Sequence, residues 1–128
     1  MEIQTLLAKS YCPYSKFPVA AKVYTSTGEE FVGVNVENAS YALTMCAEAS
    51  AIANMVSSSS ENKQVISSVD IICLKNPGNR IITPCGACRQ MISEFASEDC
   101  VVNTYCIESK EKNTFTFQEL LPFSFTLK

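Results

Sequence analysis

Cys46-Ala47-Glu48 and, well downstream, Pro84-Cys85-Gly86-Ala87-Cys88 place three thiols and a carboxyl in a pattern with chemical consequences. Cys85 and Cys88 lie three positions apart, so on a helix they share a face and can reach one ion. Cys46 brings the third sulfur from elsewhere in the chain. Three protein ligands leave a tetrahedral zinc ion with one open position, which separates a catalytic site from a closed structural one. An acid two positions from a ligand, as Glu48 is, can take a proton from a water at the metal without joining the coordination shell. Without the cysteines, Glu48 in a first helical turn would merely complement the helix dipole, and Cys46 alone would be an ordinary buried thiol. C-x-x-C in a reducing compartment, by contrast, usually binds metal or does redox work. The pattern points to a metalloenzyme, with a zinc-stabilised binding domain as the non-enzymatic alternative.

Composition narrows the chemistry further. The seven cysteines are an odd number, and the sequence contains no histidine. The first fact argues against a complete set of disulfides; the second excludes histidine ligands, bases and triads, so any acid–base work falls to a carboxylate. Cys73, Cys100 and Cys106 lie in or beside apolar runs and read as buried small hydrophobes. Met1 to Ser10 has neither a basic leader nor an apolar stretch long enough for a signal peptide, and no segment is long enough to span a bilayer, so a cytoplasmic location is expected. A net charge of −3 and a pI near 4.9 offer no footprint for tracking a phosphate backbone, which excludes long nucleic acid as an expected partner. At 128 residues a single domain, 1–128, is expected, large enough to bury a core without disulfide staples.

The elements that must position the cysteines alternate between strand and helix. A helix is expected over Ile3 to Ala8. Strands follow over Phe17 to Thr25 and Phe31 to Glu37, joined by the turn Ser26-Thr27-Gly28-Glu29. Cys46 to Val56 is apolar nearly all round and predicts a buried helix. Ser57 to Lys63 is a polar loop. Val65 to Leu74 reads as a strand and Asn76-Pro77-Gly78 as a turn, and a second helix opens at Pro84-Cys85 and runs to about Phe95. Val101 to Ile107 and Thr114 to Phe117 complete a mixed five-stranded sheet, with a last turn near Gln118 to Leu121. The expected class is α/β, either three-layer α/β/α or a two-layer variant. Both cysteine clusters then sit at helix starts, where unpaired N–H groups and the positive end of the macrodipole favour thiolates.

Cys46-Ala47-Glu48 with Pro84-Cys85-Gly86-Ala87-Cys88-Arg89-Gln90 resembles the zinc-dependent nucleoside deaminase pattern in its three-cysteine form. Tyr11-Cys12-Pro13-Tyr14-Ser15-Lys16-Phe17-Pro18-Val19, Asn35-Val36-Glu37-Asn38-Ala39-Ser40-Tyr41 and Leu120-Leu121-Pro122-Phe123-Ser124-Phe125 are similar to segments of small cytidine deaminases, in the same order. The likeness covers nearly the whole chain. It implies hydrolytic loss of ammonia from C4 of cytidine or deoxycytidine, with Zn2+ on Cys46, Cys85 and Cys88 activating a water and Glu48 moving every proton. It also implies the cytidine-deaminase fold, with the zinc site at the N-termini of two helices. A related cytosine compound, such as a nucleoside antibiotic, is the nearest alternative substrate.

Strand alternation puts Asn35 and Glu37 together, opposite Val32, Val34 and Val36. An amide and a carboxylate offer both donors and acceptors to sugar hydroxyls, and the resemblance assigns them to the ribose; the alternative is a solvated sheet face. No cationic or glycine-rich cradle for a phosphate is visible, which favours a free nucleoside over a nucleotide. By resemblance, Phe17 stacks on the pyrimidine, Tyr41 and the backbone around Ala47 line the pocket, and Phe125 covers it from a neighbouring subunit of a homotetramer. Taken alone, Phe17 would be core and Leu120 to Phe125 a hydrophobic tail on its own domain.

The chain departs from the resembled pattern at Ala49, where an arginine that offsets the thiolate charge is usual. Three thiolates against one zinc leave the site at −1, and two helix N-termini at about +0.5 each replace a guanidinium only in part. Slow catalysis or a compensating cation is the expectation, with Arg89 the nearest candidate. Ala20, in place of a usual glycine, reads as a packing change.

Overall fold

The computed structural model describes residues 2–128. In chain order the elements are α1 (Ile3–Leu7), β1 (Val19–Thr25), β2 (Glu30–Val34), a 3-10 turn (Tyr41–Leu43), α2 (Ala47–Ser58), β3 (Ile66–Cys73), α3 (Gly86–Phe95), β4 (Ala96–Cys106), β5 (Lys112–Thr116) and α4 (Phe117–Leu120). The strands form one five-stranded sheet in the order β2-β1-β3-β4-β5. β3 and β4 run parallel and the other neighbours antiparallel. Parallel neighbours need a crossover connection, and α3 supplies it.

Strand alternation sends apolar side chains to both faces. On one face Val23, Phe31, Val69, Ile71 and Val102 pack with Ile52 and Met55 of α2, Ile92 of α3 and Leu120 of α4. On the other, Leu6 and Leu7 of α1 cover Ala20 and Ile72, with Val32 and Val34 beside them. The sheet therefore lies between helices, as the three-layer expectation required. Ala20 is fully buried under α1, so its side chain matters as packing.

The run of alanines in α2 lets the helix lie very close to the sheet. A Cβ added at Gly33 of β2 would stand 2.3 Å from the Ala51 nitrogen and 2.7 Å from the Ala47 carbonyl oxygen. Gly33 thus provides the seat on which the first turn of α2, with Ala47 and Glu48, rests directly on the sheet.

Most boundaries fall within two residues of the expectations, with β1 starting at Val19 rather than Phe17, and two differ by more. β2 ends at Val34 rather than Glu37, because past the Ala20–Val34 pair a side chain takes over the role of the ladder. The Asn35 side chain accepts from the Val19 amide and donates to the Phe17 carbonyl, each at 2.9 Å. The chain continues extended, and Val36 bridges to both Tyr11 and Met45. β4 begins at Ala96, directly after α3, rather than at Val101. Its pairing with β3 shifts register between Ile66 and Ser68, so the polar stretch 97–99 bulges out, Cys100 returns to the core, and the regular ladder starts at Val101.

Candidate active site

The starts of α2 and α3 meet near the carboxyl end of β3. Cys46 is the residue immediately before α2, Cys85 the residue immediately before α3, and Cys88 lies in the first turn of α3. Their three Sγ atoms all lie within 4.8 Å of one another, and Cys46 and Cys85 are 3.9 Å apart. That separation is far beyond a disulfide bond of about 2.05 Å. It matches the edge of a zinc–thiolate tetrahedron, about 3.8 Å for Zn–S bonds of about 2.3 Å. The donor set therefore fits zinc. Among the described residues no histidine, further cysteine or carboxylate joins the three sulfurs, so a tetrahedral ion held there keeps one position for water or substrate.

Burial pushes the Cys46 and Cys88 thiols above their ordinary range. Cys85 also feels burial, but the Cys88 amide and the neighbouring thiols outweigh it and bring Cys85 below its ordinary value. A bound metal ion overrides these preferences, because a coordinating thiol is deprotonated outright. Glu48 occupies the second position of α2 and is only 5% exposed. Burial raises its pKa, and its own amide and the Cys88 thiol offset that only in part. A carboxyl in this state can both accept and hold a proton.

Arg89, the cation nearest to Cys88 in sequence, directs its donors to oxygen. Its Nε, Nη1 and Nη2 donate to the Pro84 carbonyl at 2.8 Å, the Leu120 carbonyl at 2.6 Å and the Thr83 hydroxyl at 3.0 Å. Ala49 is half-buried and brings no charge.

A cavity of about 440 Å³ opens beside the sulfurs, within the range of small-molecule sites. Phe17, Asn35, Cys46, Ala47 and Glu48 all line it. The structure thus brings together five of the residues singled out in the sequence. Asn35 is 8% exposed and largely saturated: its Oδ1 accepts from Val19 and from the Ser10 hydroxyl, and its Nδ2 donates to Phe17. Glu37 stands one step back. One of its oxygens accepts from the Tyr14 and Ser15 amides, both at 3.0 Å, and the other accepts from the Ser15 hydroxyl. Ser15 itself lines the cavity, so Glu37 fixes a loop of its wall. Tyr41 is 78% exposed and makes an edge contact with Tyr14, and Phe125 is 69% exposed. Neither lines the cavity of its own chain.

Ser15, Thr44, Met45, Ile82 and Thr83 also line the cavity, and the sequence reading did not single them out as site residues. They lie in irregular segments without periodicity. Adjacency was the available signal: Met45 precedes Cys46, and Thr83 precedes Pro84-Cys85.

Comparison with known proteins agrees with this geometry. The family described as the cytidine and deoxycytidylate deaminase zinc-binding region matches residues 1–104. The cytidine deaminase of Mycoplasma pneumoniae is 40% identical over 97% of this chain and 89% of its own length. A blasticidin-S deaminase of Bacillus cereus is 33% identical over 88% of this chain and 79% of its own. The crystal structure of cytidine deaminase from Burkholderia pseudomallei superposes with a TM-score of 0.83 at 31% identity, covering 96% of this chain and 93% of that one.

Proposed function

The chain belongs to the cytidine and deoxycytidylate deaminase family, and from that membership we propose that it hydrolyses cytidine and 2′-deoxycytidine to uridine and 2′-deoxyuridine, releasing ammonia. The observation that carries this reading is the trio of sulfurs within 4.8 Å of one another beside a buried carboxyl outside the set. Cys46, Cys85 and Cys88 would hold the zinc ion, which when bound would make a water acidic enough to lose a proton near neutrality. Glu48 accepts that proton, delivers one to N3 so that C4 becomes electrophilic, and passes one to the departing amine. Its burial beside the three sulfurs supports this role, since a carboxyl shielded from bulk water exchanges its proton with the reacting atoms. Phe17 stacks on the pyrimidine, and the Ala47 end of α2, which lines the cavity, faces the base.

The sugar is read by what Asn35 and Glu37 have left. Two acceptances fill Asn35 Oδ1, one Nδ2 hydrogen is engaged, and the Glu37 oxygens already take three donors. One amide hydrogen and one carboxylate lone pair remain, which suits a single hydroxyl that accepts from the first and donates to the second. This arrangement favours neither ribose nor deoxyribose at the 2′ position. The whole chain acts as one catalytic domain in cytoplasmic pyrimidine salvage.

Exposed apolar side chains at Tyr11, Tyr14, Tyr41, Leu43, Phe123 and Phe125 support a homotetramer in which Phe125 of a neighbouring copy closes the cavity. Among the described residues no helix is long and apolar enough to cross a membrane.

The likeness to blasticidin-S deaminase favours a second reading, a cytosine-bearing antibiotic as substrate. Zinc content measured alongside ammonia release from cytidine, deoxycytidine and blasticidin S separates the two. Stoichiometric zinc with turnover of the nucleosides is expected; turnover of the antibiotic alone would transfer the assignment to the second reading.

A further inference from the structure

Cys85 arrives at the metal site on an irregular segment, 81–85, that follows β3 and the turn at Asn76. No strand or helix holds this segment, yet its sulfur must keep its distance from Cys46. Arg89 holds it, reaching back from the first turns of α3. Its main-chain amide donates to the Cys85 carbonyl at 2.9 Å. Its guanidinium grips the two preceding residues through the Pro84 carbonyl and the Thr83 hydroxyl, and joins them to Leu120 at the end of α4. That short helix is itself firm: Phe117 and Leu120 are buried, Thr116 and Glu119 form a capping box at its start, and the Leu121 amide closes its end on the Phe117 carbonyl. One planar group thus ties the metal-bearing segment to a fixed point of the core.

Resting on the zinc reading above, we propose that Arg89 is a positioning residue of the metal site, and that the geometry of its fork rather than its charge governs how long zinc is retained. A guanidinium addresses three acceptors in one plane, whereas a lysine ammonium carries the same charge on a single point and cannot span them. Groups that orient metal ligands from outside the coordination shell typically change metal affinity by about 10- to 100-fold when removed.

The test is the rate at which zinc-loaded protein gives up its metal to an excess of chromophoric chelator. Arg89→Gln and Arg89→Lys are both expected to release zinc about 10- to 100-fold faster than the unaltered protein. Thr83→Val, which removes one of three acceptors, is expected to accelerate release by a smaller factor. Gln90→Ala removes the neighbouring bond from α3 to the Phe125 carbonyl and is expected to leave release unchanged. The KM for cytidine should stay constant in the zinc-loaded Arg89 variants. Arg89→Lys releasing zinc at the unaltered rate would show that charge suffices, and would overturn the proposal. So would an unaffected Arg89→Gln, or Gln90→Ala matching it. If the Arg89 variants fail to fold, Thr83→Val decides alone, and unchanged release overturns the proposal. A protein that takes up no zinc at all would instead refute the functional reading on which this one rests.

Discussion

At the scale of single residues, the proposed mechanism gives Glu48 one task that glutamine cannot perform. Both side chains fill the same buried space, but an amide neither accepts nor releases a proton at neutral pH. Glu48→Gln should therefore lower kcat by about 10²- to 10⁴-fold while zinc content stays at the unaltered level. Metal analysis beside an absorbance assay of cytidine turnover checks both halves, and a variant that keeps its rate would remove Glu48 from the chemistry. Glu37 makes a different prediction, in pH. The Ser15 hydroxyl first, then the Ser15 and Tyr14 amides, hold its carboxyl below its ordinary value of 4.5. A lowered carboxylate remains charged everywhere above that value and loses its charge only as the pH falls through the lowered one. KM for cytidine should accordingly show no contribution from Glu37 between neutrality and pH 4.5, and should climb only below it. Glu37→Gln should raise KM at neutral pH and remove that acid limb. An acid limb that persists in Glu37→Gln would assign it to another group.

Among the elements, the contact of α2 with β2 is the one on which the site most depends. Gly33→Ala would place a methyl against backbone atoms of Ala47 and Ala51, which cannot rotate away as a side chain could. The helix must lift, at a cost of about 1–3 kcal/mol, or a Tm lower by about 4 to 12 °C. Because Cys46 and Glu48 move with the first turn, kcat should fall along with Tm; thermal unfolding and steady-state kinetics measure the two. This contact also marks the limit of what sequence patterns disclose. The alanine-rich run predicted α2 as a buried helix, and three-residue spacing placed Cys85 and Cys88 together, because both signals arise within one element. The end of β2 was not legible, since Asn35 reads as one more strand residue until its side chain is seen bonding to Phe17 and Val19 across the sheet. For the same reason, alternation grouped Asn35 with Glu37 without disclosing that Asn35 is buried or that Glu37 also fixes the loop at Tyr14 and Ser15. Arg89 looked like a counter-charge because it follows Cys88. Its bond to Leu120 depends on how α4 returns to α3, a contact between distant parts of the chain, and its bond to Thr83 on the path of an irregular segment that has no periodicity to read.

For the whole molecule, the apolar surface is the outstanding question. Phe123 and Phe125 lie on a tail that Gln90 and Glu94 fasten along α3 through the Phe125 carbonyl and Lys128, so the backbone is anchored while both rings face water. Burying such rings between copies would remove the exposure at roughly 25 cal/mol per Å² of apolar surface. A solution mass of four times 14.0 kDa by light scattering is the expected result. Phe125→Ala should raise KM for cytidine on the order of 10-fold, the scale of losing one buried aromatic contact. The raised KM alone would not reveal whether the ring acts on its own cavity or a neighbour's. Mixed assemblies decide between them. A Glu48→Gln subunit keeps Phe125 but cannot turn over, whereas a Phe125→Ala subunit keeps Glu48 but lacks its cover. If the ring serves the next copy, co-assembling the two places intact rings over intact carboxyls, and part of the activity returns with an unaltered KM. If each ring serves its own chain, every active site in the mixture retains the raised KM, and the shared-site arrangement is wrong.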